Sequence, residues 1–184
     1  MAPHSWIIRV YNMPTQKKKL EFKQGRLPSK LRDRLADFVR KLYGEEFIDL
    51  IPVNLKYVCF ERDLCLIYEK PLRGLDNLTV LFNAPWIAIY VNKHVLPSIP
   101  LVARIYREKG VRAAIVVKEQ GVKAFLYGND ILVESVLKKI PPDKGVYTVI
   151  DGEDGEILGF VEWSEKKKVY VNLYDIGLFL RKLG

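Results

Sequence analysis

Residues 113–160 change character every few positions, and that rhythm limits what the chain can become. An apolar run at 113–117 ends in the polar turn Lys118-Glu-Gln-Gly121. A second run, 124–127, stops at Gly128-Asn129. Ile131-Leu-Val133 follows at once, then 146–150, the turn Asp151-Gly-Glu-Asp-Gly155, and 157–162. Short apolar pieces separated by turn residues predict a small β-barrel. Gly121 and Gly128 are expected where the chain needs positive φ or a bare backbone.

Residues 1–110 read differently. Residues 28–43 place Leu31, Leu35, Phe38, Val39 and Leu42 on one helical stripe, with Ser29 or the preceding turn as a cap and Gly44 as the stop. Residues 97–109 predict a second helix, opened by Pro97-Ser98 and closed by Gly110. Residues 5–11 and 17–23 alternate as a basic hairpin, and 47–53, 57–60, 64–68, 78–82 and 86–90 are short β-like runs. Trp86 and Tyr90 are expected in the core. The fold class is therefore α+β: an N-terminal mixed α/β domain over residues 1–110, then a β-pseudobarrel over 111–184. Lys138 to Lys144 reads as a basic, proline-stiffened loop. Residues 169–171 resume the barrel, and 173–183 read as a last helix, with Asn172 as its cap and Asp175 at the third position of a capping box.

Three stretches carry a resemblance: Ile115-Val-Val-Lys118, Gly121-Val-Lys-Ala-Phe-Leu-Tyr-Gly-Asn129 and Asp154-Gly-Glu-Ile-Leu-Gly-Phe160. Together they resemble a PUA domain, the RNA-binding pseudobarrel of pseudouridine synthases and archaeosine transglycosylases. With the ending Asn172-Leu-Tyr-Asp-Ile-Gly-Leu-Phe-Leu-Arg-Lys182, the chain looks most like the small two-domain proteins of the Nip-seven family, archaeal type. The resemblance implies a role in large ribosomal subunit biogenesis and pre-rRNA processing. It also implies RNA contacts from a basic doublet before the final helix, here Lys167 and Lys168. A PUA translation factor related to the malignant T-cell amplified protein, contacting tRNA or the small subunit, is the alternative. So is an accessory subunit that delivers RNA to a modification enzyme.

Charge supports the same partner. The net charge is +8, and residues 1–41, with eleven Lys/Arg against three acids, hold all of it. A localised basic field attracts polyanions through counterion release. Lysines with neighbouring aromatics mark the expected contacts. Lys166, Lys167 and Lys168 precede Tyr170 and Tyr174, Lys123 precedes Tyr127, and Lys138, Lys139, Lys17, Lys18 and Lys19 add basic surface. Lysine neutralises phosphate, and an aromatic ring stacks an unpaired base.

The chemistry of catalysis has no sequence signature here. His4 and His94 are far apart, and Cys59 and Cys65 lack metal-ligand spacing. Neither a phosphate-binding loop nor a nucleophile elbow is present, and the acids Glu153, Asp154 and Glu156 read as a solvated turn. The expectation is a non-enzyme without metal or cofactor, cytoplasmic and unattached to membrane, with Cys59 and Cys65 as free buried thiols. Its partners would be rRNA first, tRNA second, and ribosome-assembly or RNA-processing proteins.

Overall fold

The computed structural model describes residues 23–61, 64–69, 86–178 and 181. The expected hairpin of residues 5–11 and 17–23, with Lys17, Lys18 and Lys19, lies outside them apart from Lys23, and so does the expected strand 78–82.

Among the described residues the first half forms a five-stranded antiparallel sheet ordered β1 (Lys23–Arg26), β2 (Lys56–Glu61), β3 (Leu64–Tyr68), β4 (Trp86–Val91) and β5 (His94–Pro97). The central strand β3 is buried at every position, so its run Leu-Cys-Leu-Ile-Tyr shows no alternation. Helix α1 (Ser29–Leu42) covers this sheet with Leu35, Ala36 and Val39. Its N-cap is Pro28, with no side-chain capping bond, so of the two starts expected it is the preceding turn and not Ser29 that opens the helix. Helix α2 (Ile99–Lys109) follows β5. Ser98 caps it, accepting a hydrogen bond from the Leu101 N–H at 3.2 Å, and Gly110 ends it.

Two expectations fail in this half. The β-like run 47–53 begins as a 3-10 helix, Glu45–Leu50, which tucks Phe47 into the core directly after α1. Cys59 and Cys65 are not free thiols: they face each other in register across β2 and β3 and form a disulfide, Cα to Cα 3.8 Å. Sequence spacing alone did not reveal that the hairpin register would set the two side by side.

The second half is a curled six-stranded sheet ordered β7 (Ile131–Leu132), β11 (Val169–Asp175), β10 (Ile157–Ser164), β9 (Val146–Asp151), β6 (Ala114–Val117) and β8 (Val136–Ile140). Strands β6 and β9 are parallel, and the other pairs are antiparallel. The 3-10 turn Val133–Ser135 carries the chain from the β7 edge to the β8 edge, which closes the sheet into a half-barrel. Its interior holds Ile115, Val117, Phe125, Tyr147, Val149 and Val161.

Here three further expectations are corrected. The run 124–127 is not a strand but the end of helix α3 (Glu119–Leu126), whose buried side is Gly121, Val122 and Phe125. Gly121 is therefore helical, and it is small because a Cβ there would meet the Ser135 Cβ at 2.8 Å. Lys138 and Lys139 belong to strand β8, so the loop begins only at Pro141. The last helix does not begin at residue 173, because β11 runs on to Asp175 and helical structure resumes at Leu178. Leu173 and Tyr174 pack into the first half's core, where β11 is covered on both faces and loses its alternation.

The two halves share that core. The Phe38 ring meets Phe160 edge-on at 6.2 Å, and Phe160 stacks on Tyr174 at 6.5 Å. The Tyr43 hydroxyl, fully buried, lies 3.1 Å from Thr148 Oγ1, and Arg112 Nη1 donates to the Tyr43 carbonyl at 2.5 Å. Burial pushes the Tyr43 phenol well above its ordinary pKa and, with hydrogen bonds from Thr148 and Tyr43 opposing, pushes Tyr106 up to about 12.

Candidate nucleic-acid interface

Helix α3 ends in a Schellman motif. Gly128 N–H donates to the Phe125 carbonyl at 2.8 Å and Asn129 N–H to the Ala124 carbonyl at 3.0 Å. The motif needs a left-handed residue, and Gly128 supplies it at φ +87°. The Gly128-Asn129 pair is thus a helix cap rather than a turn between strands. The reversal leaves Tyr127 outside, 77% exposed.

A polar cluster centred on the buried Asp175 holds this cap against β11. Asp175, 1% exposed, accepts two hydrogen bonds from Arg181, at 2.9 Å and 2.7 Å, and one from the Asn172 amide at 3.0 Å. Asn172 also donates to the Phe125 carbonyl at 3.1 Å, and Arg181 donates to the Leu126 carbonyl. The hydrogen bonds and charge of Asp175 hold the Arg181 guanidinium above its ordinary pKa. Gly177 must be small, since a Cβ would collide with the Leu126 carbonyl and lie 2.9 Å from Arg181 Nη1. The ending Asp175-Ile-Gly177 with Arg181 is therefore a clamp on the end of α3.

The same strand leads to the basic hairpin tip. Lys168 N–H donates to the Ser164 carbonyl at 2.8 Å and Lys167 N–H to Ser164 Oγ at 3.3 Å, which folds residues 164–168 into a tight turn. Asp130 joins tip and cap: one oxygen accepts from the Asn172 N–H at 3.0 Å, and the other lies 3.6 Å from Lys167 Nζ. Lys168 pairs with Glu165 at 2.8 Å, and Lys166 makes no ion pair among the described residues. Lys123 sits one turn before Tyr127 and pairs with Glu119 at 2.5 Å. That mutual pairing raises the Lys123 pKa and lowers that of Glu119.

Residues 113–184 match the family model described as the UPF0113 PUA domain. This half of the molecule is a PUA domain. Solved structures share the fold of the chain at low identity. A hypothetical protein from the hyperthermophilic archaeon Pyrococcus horikoshii matches with TM-score 0.58 and 14% identity, over 84% of this chain and 93% of its own. A conserved PUA domain protein from Thermoplasma acidophilum matches with TM-score 0.55 and 14% identity, over 88% of this chain and 99% of its own. Among curated proteins none matches the sequence. PUA domains are a known RNA-binding fold.

On the PUA domain, the lysines expected from sequence fall on two edges. Lys123, Tyr127, Lys166, Lys167 and Lys168 lie along the α3–β11 side. Lys138 and Lys139 lie on β8, at the opposite end of the strand order. Lys139 donates to the Asp143 carbonyl at 2.8 Å and stands 5.6 Å over the Tyr147 ring. Tyr170 and Tyr174 are buried, Tyr170 against Tyr147 and Trp163, so neither is the base-stacking platform the sequence pattern suggested. Sequence reasoning also missed Asp130 and the functional setting of Asn172, Asp175 and Arg181. The signal for α3 was present in Val122, Phe125 and Leu126 at helical spacing and in the Glu119–Lys123 pair four residues apart. Among the described residues, no group of three His, Cys, Asp or Glu is placed to hold a metal, and no helix is long and apolar enough to cross a membrane.

Proposed function

We propose that the protein is a non-catalytic, cytoplasmic RNA-binding factor of the Nip-seven type, acting in large ribosomal subunit assembly and pre-rRNA processing. RNA would lie along the α3–β11 edge of the PUA domain. The observation that carries this reading is Tyr127, held out to solvent by a rigid helix cap. Lys123 stands beside it on α3, and the Lys166–Lys168 tip is tied to the same cap through Asp130. The ring would stack one unpaired base, and the lysines would neutralise flanking phosphates. Lys17, Lys18 and Lys19 would add a second, phosphate-directed contact.

Fluorescence anisotropy with rRNA fragments across a salt series tests it. Tyr127→Ala is expected to cost about 1–3 kcal/mol of binding. Changing Lys166, Lys167 and Lys168 together to Ala is expected to flatten the log–log salt slope by about two units. Unchanged affinity and slope in both variants would move RNA off this edge. Sedimentation of tagged protein with small-subunit or tRNA complexes, rather than large-subunit precursors, would favour the translation-factor alternative.

A further inference from the structure

The outer face of the PUA sheet carries a second surface, away from the α3–β11 edge. Side chains alternate along the strands, so Ile115, Val117 and Val149 fill the barrel while Val116 and Ile150 point outward. The register sets Lys138, Val116 and Ile150 in one row across β8, β6 and β9. That row floors an open groove of about 570 Å³. Helix α2 lines it with Ile99, Ala103 and Tyr106. The Tyr106 hydroxyl donates to the Arg112 carbonyl at 2.8 Å, which ties the helix to the chain just before β6. The β9–β10 turn and the start of β10 line it with Asp151, Glu156 and Ile157.

The charge of this groove opposes that of the whole chain, which is +8. Besides Asp151 and Glu156 in the lining, Glu153 and Asp154 stand exposed in the same turn. None of the four makes an ion pair among the described residues. Among the described residues the lining holds one cation, Lys138, and β6 separates its strand from β9. The neighbouring cations are turned elsewhere: Arg104 pairs with Glu108, Lys109 with Glu46, and Arg112 donates to the Tyr43 carbonyl. Arg107 is exposed on α2, outside the lining.

We propose that this groove docks a basic, apolar segment of a partner protein. Its apolar side chains cover Val116, Ile150 and Ile157, and its Lys or Arg residues meet the carboxylates of the 151–156 turn. Burial of the apolar floor supplies affinity, and the unpaired acids select the charge of what is bound. Four carboxylates repel phosphate, so nucleic acid is excluded from this face. A small cation would leave the apolar floor in water. A second copy could offer its Lys166–Lys168 tip, but residues 164–168 hold no apolar side chain for the trough, and Lys167 and Lys168 already pair with Asp130 and Glu165. The proposal stands whether or not RNA binds the α3–β11 edge.

Selection of a random decapeptide display library on the full-length protein tests it. General attraction to a chain of charge +8 would enrich acidic peptides. The enriched sequences are expected instead to combine large apolar residues with Lys or Arg, and as synthetic peptides to shift the amide resonances of residues 151–157. Glu156→Lys, at an exposed position, is expected to weaken them about fivefold, the worth of one exposed ion pair, and Lys138→Glu to strengthen them. Ala103→Trp, which fills the trough, is expected to abolish the shifts. Thermal melting checks that the variants fold. An rRNA fragment is expected to leave the same resonances in place. Absence of enrichment, the result if the chain's own basic residues 1–22 took the groove, would overturn the proposal. So would enrichment of acidic peptides, unchanged affinity in Glu156→Lys, or movement of these amides by RNA. Self-association in sedimentation velocity that Glu156→Lys abolishes would give the groove to a second copy instead.

Discussion

The α3–β11 edge and the β8 edge of the PUA domain carry the same residue type, lysine, in opposite settings. At α3–β11 the basic tip and Tyr127 stand on a buried polar clamp, in which Asp175, Arg181 and Asn172 satisfy one another and the carbonyls at the end of α3. At β8 Lys138 borders a groove whose lining also carries Asp151 and Glu156, and Lys139 is already occupied by Asp143 and Tyr147. Lysine clusters that look alike in sequence are thus sorted by what lies beneath them. A rigid polar foundation presents a single aromatic to solvent, whereas an apolar trough lined by carboxylates presents space and negative charge.

The comparison can be broken at its foundation. Arg181→Ala leaves the buried Asp175 carboxylate without its main partner, and is expected to cost about 2–4 kcal/mol in urea unfolding, reduced from the fully buried case because Arg181 keeps some solvent. RNA affinity should fall with it. A loss below about 0.5 kcal/mol would show that the clamp does not hold the edge.

The tyrosines beneath both edges give the next effect. Tyr106, which lines the groove, and Tyr174, on β11, are each pushed up to about 12, chiefly by burial. Their folded pKa values exceed the unfolded value, so the folded state holds protons that the unfolded state has released. The stability they contribute is therefore complete below about pH 10 and is lost as pH rises toward 12, by up to about 2–3 kcal/mol per group. Chemical denaturation from pH 8 to 11.5 should show a falling midpoint beginning near pH 10. A flat profile would mean that these rings meet more water than their positions indicate.

The smallest effect sharpens the contrast. Lys138→Ala is expected to change rRNA-fragment affinity less than twofold and the salt slope not at all, whereas Lys167→Ala lowers the slope by about 0.7–0.9 units. Equal effects from the two substitutions in the same titration would merge the edges into one RNA surface.

Some of this was legible in the residues themselves. The α1 stripe and Ser98 and Gly110 around α2 marked the first half's helices, because capping residues act locally, and the Ile115–Asn129 and Asp154–Phe160 stretches carried the resemblance to a PUA domain. Local signals failed where an element is covered on two sides. The β11 residues Leu173 and Tyr174 read as helix because burial on both faces erases alternation, and residues 124–127 read as strand because a short apolar run fits either period.

The sequence by itself settled which residues are basic, where the helices of the first half start and stop, and that a turn-punctuated β domain follows them. Tertiary structure decided the rest. Strand register set Cys59 against Cys65. Packing inside the barrel buried Tyr170, packing against the first half buried Tyr174, and the α3 cap left Tyr127 outside. Residues far apart in the chain, Phe125, Asn172, Asp175 and Arg181, met in one clamp. The physical reason is common to all three. Charge and capping depend on near neighbours, whereas burial, register and polar satisfaction depend on segments that only the folded chain brings together.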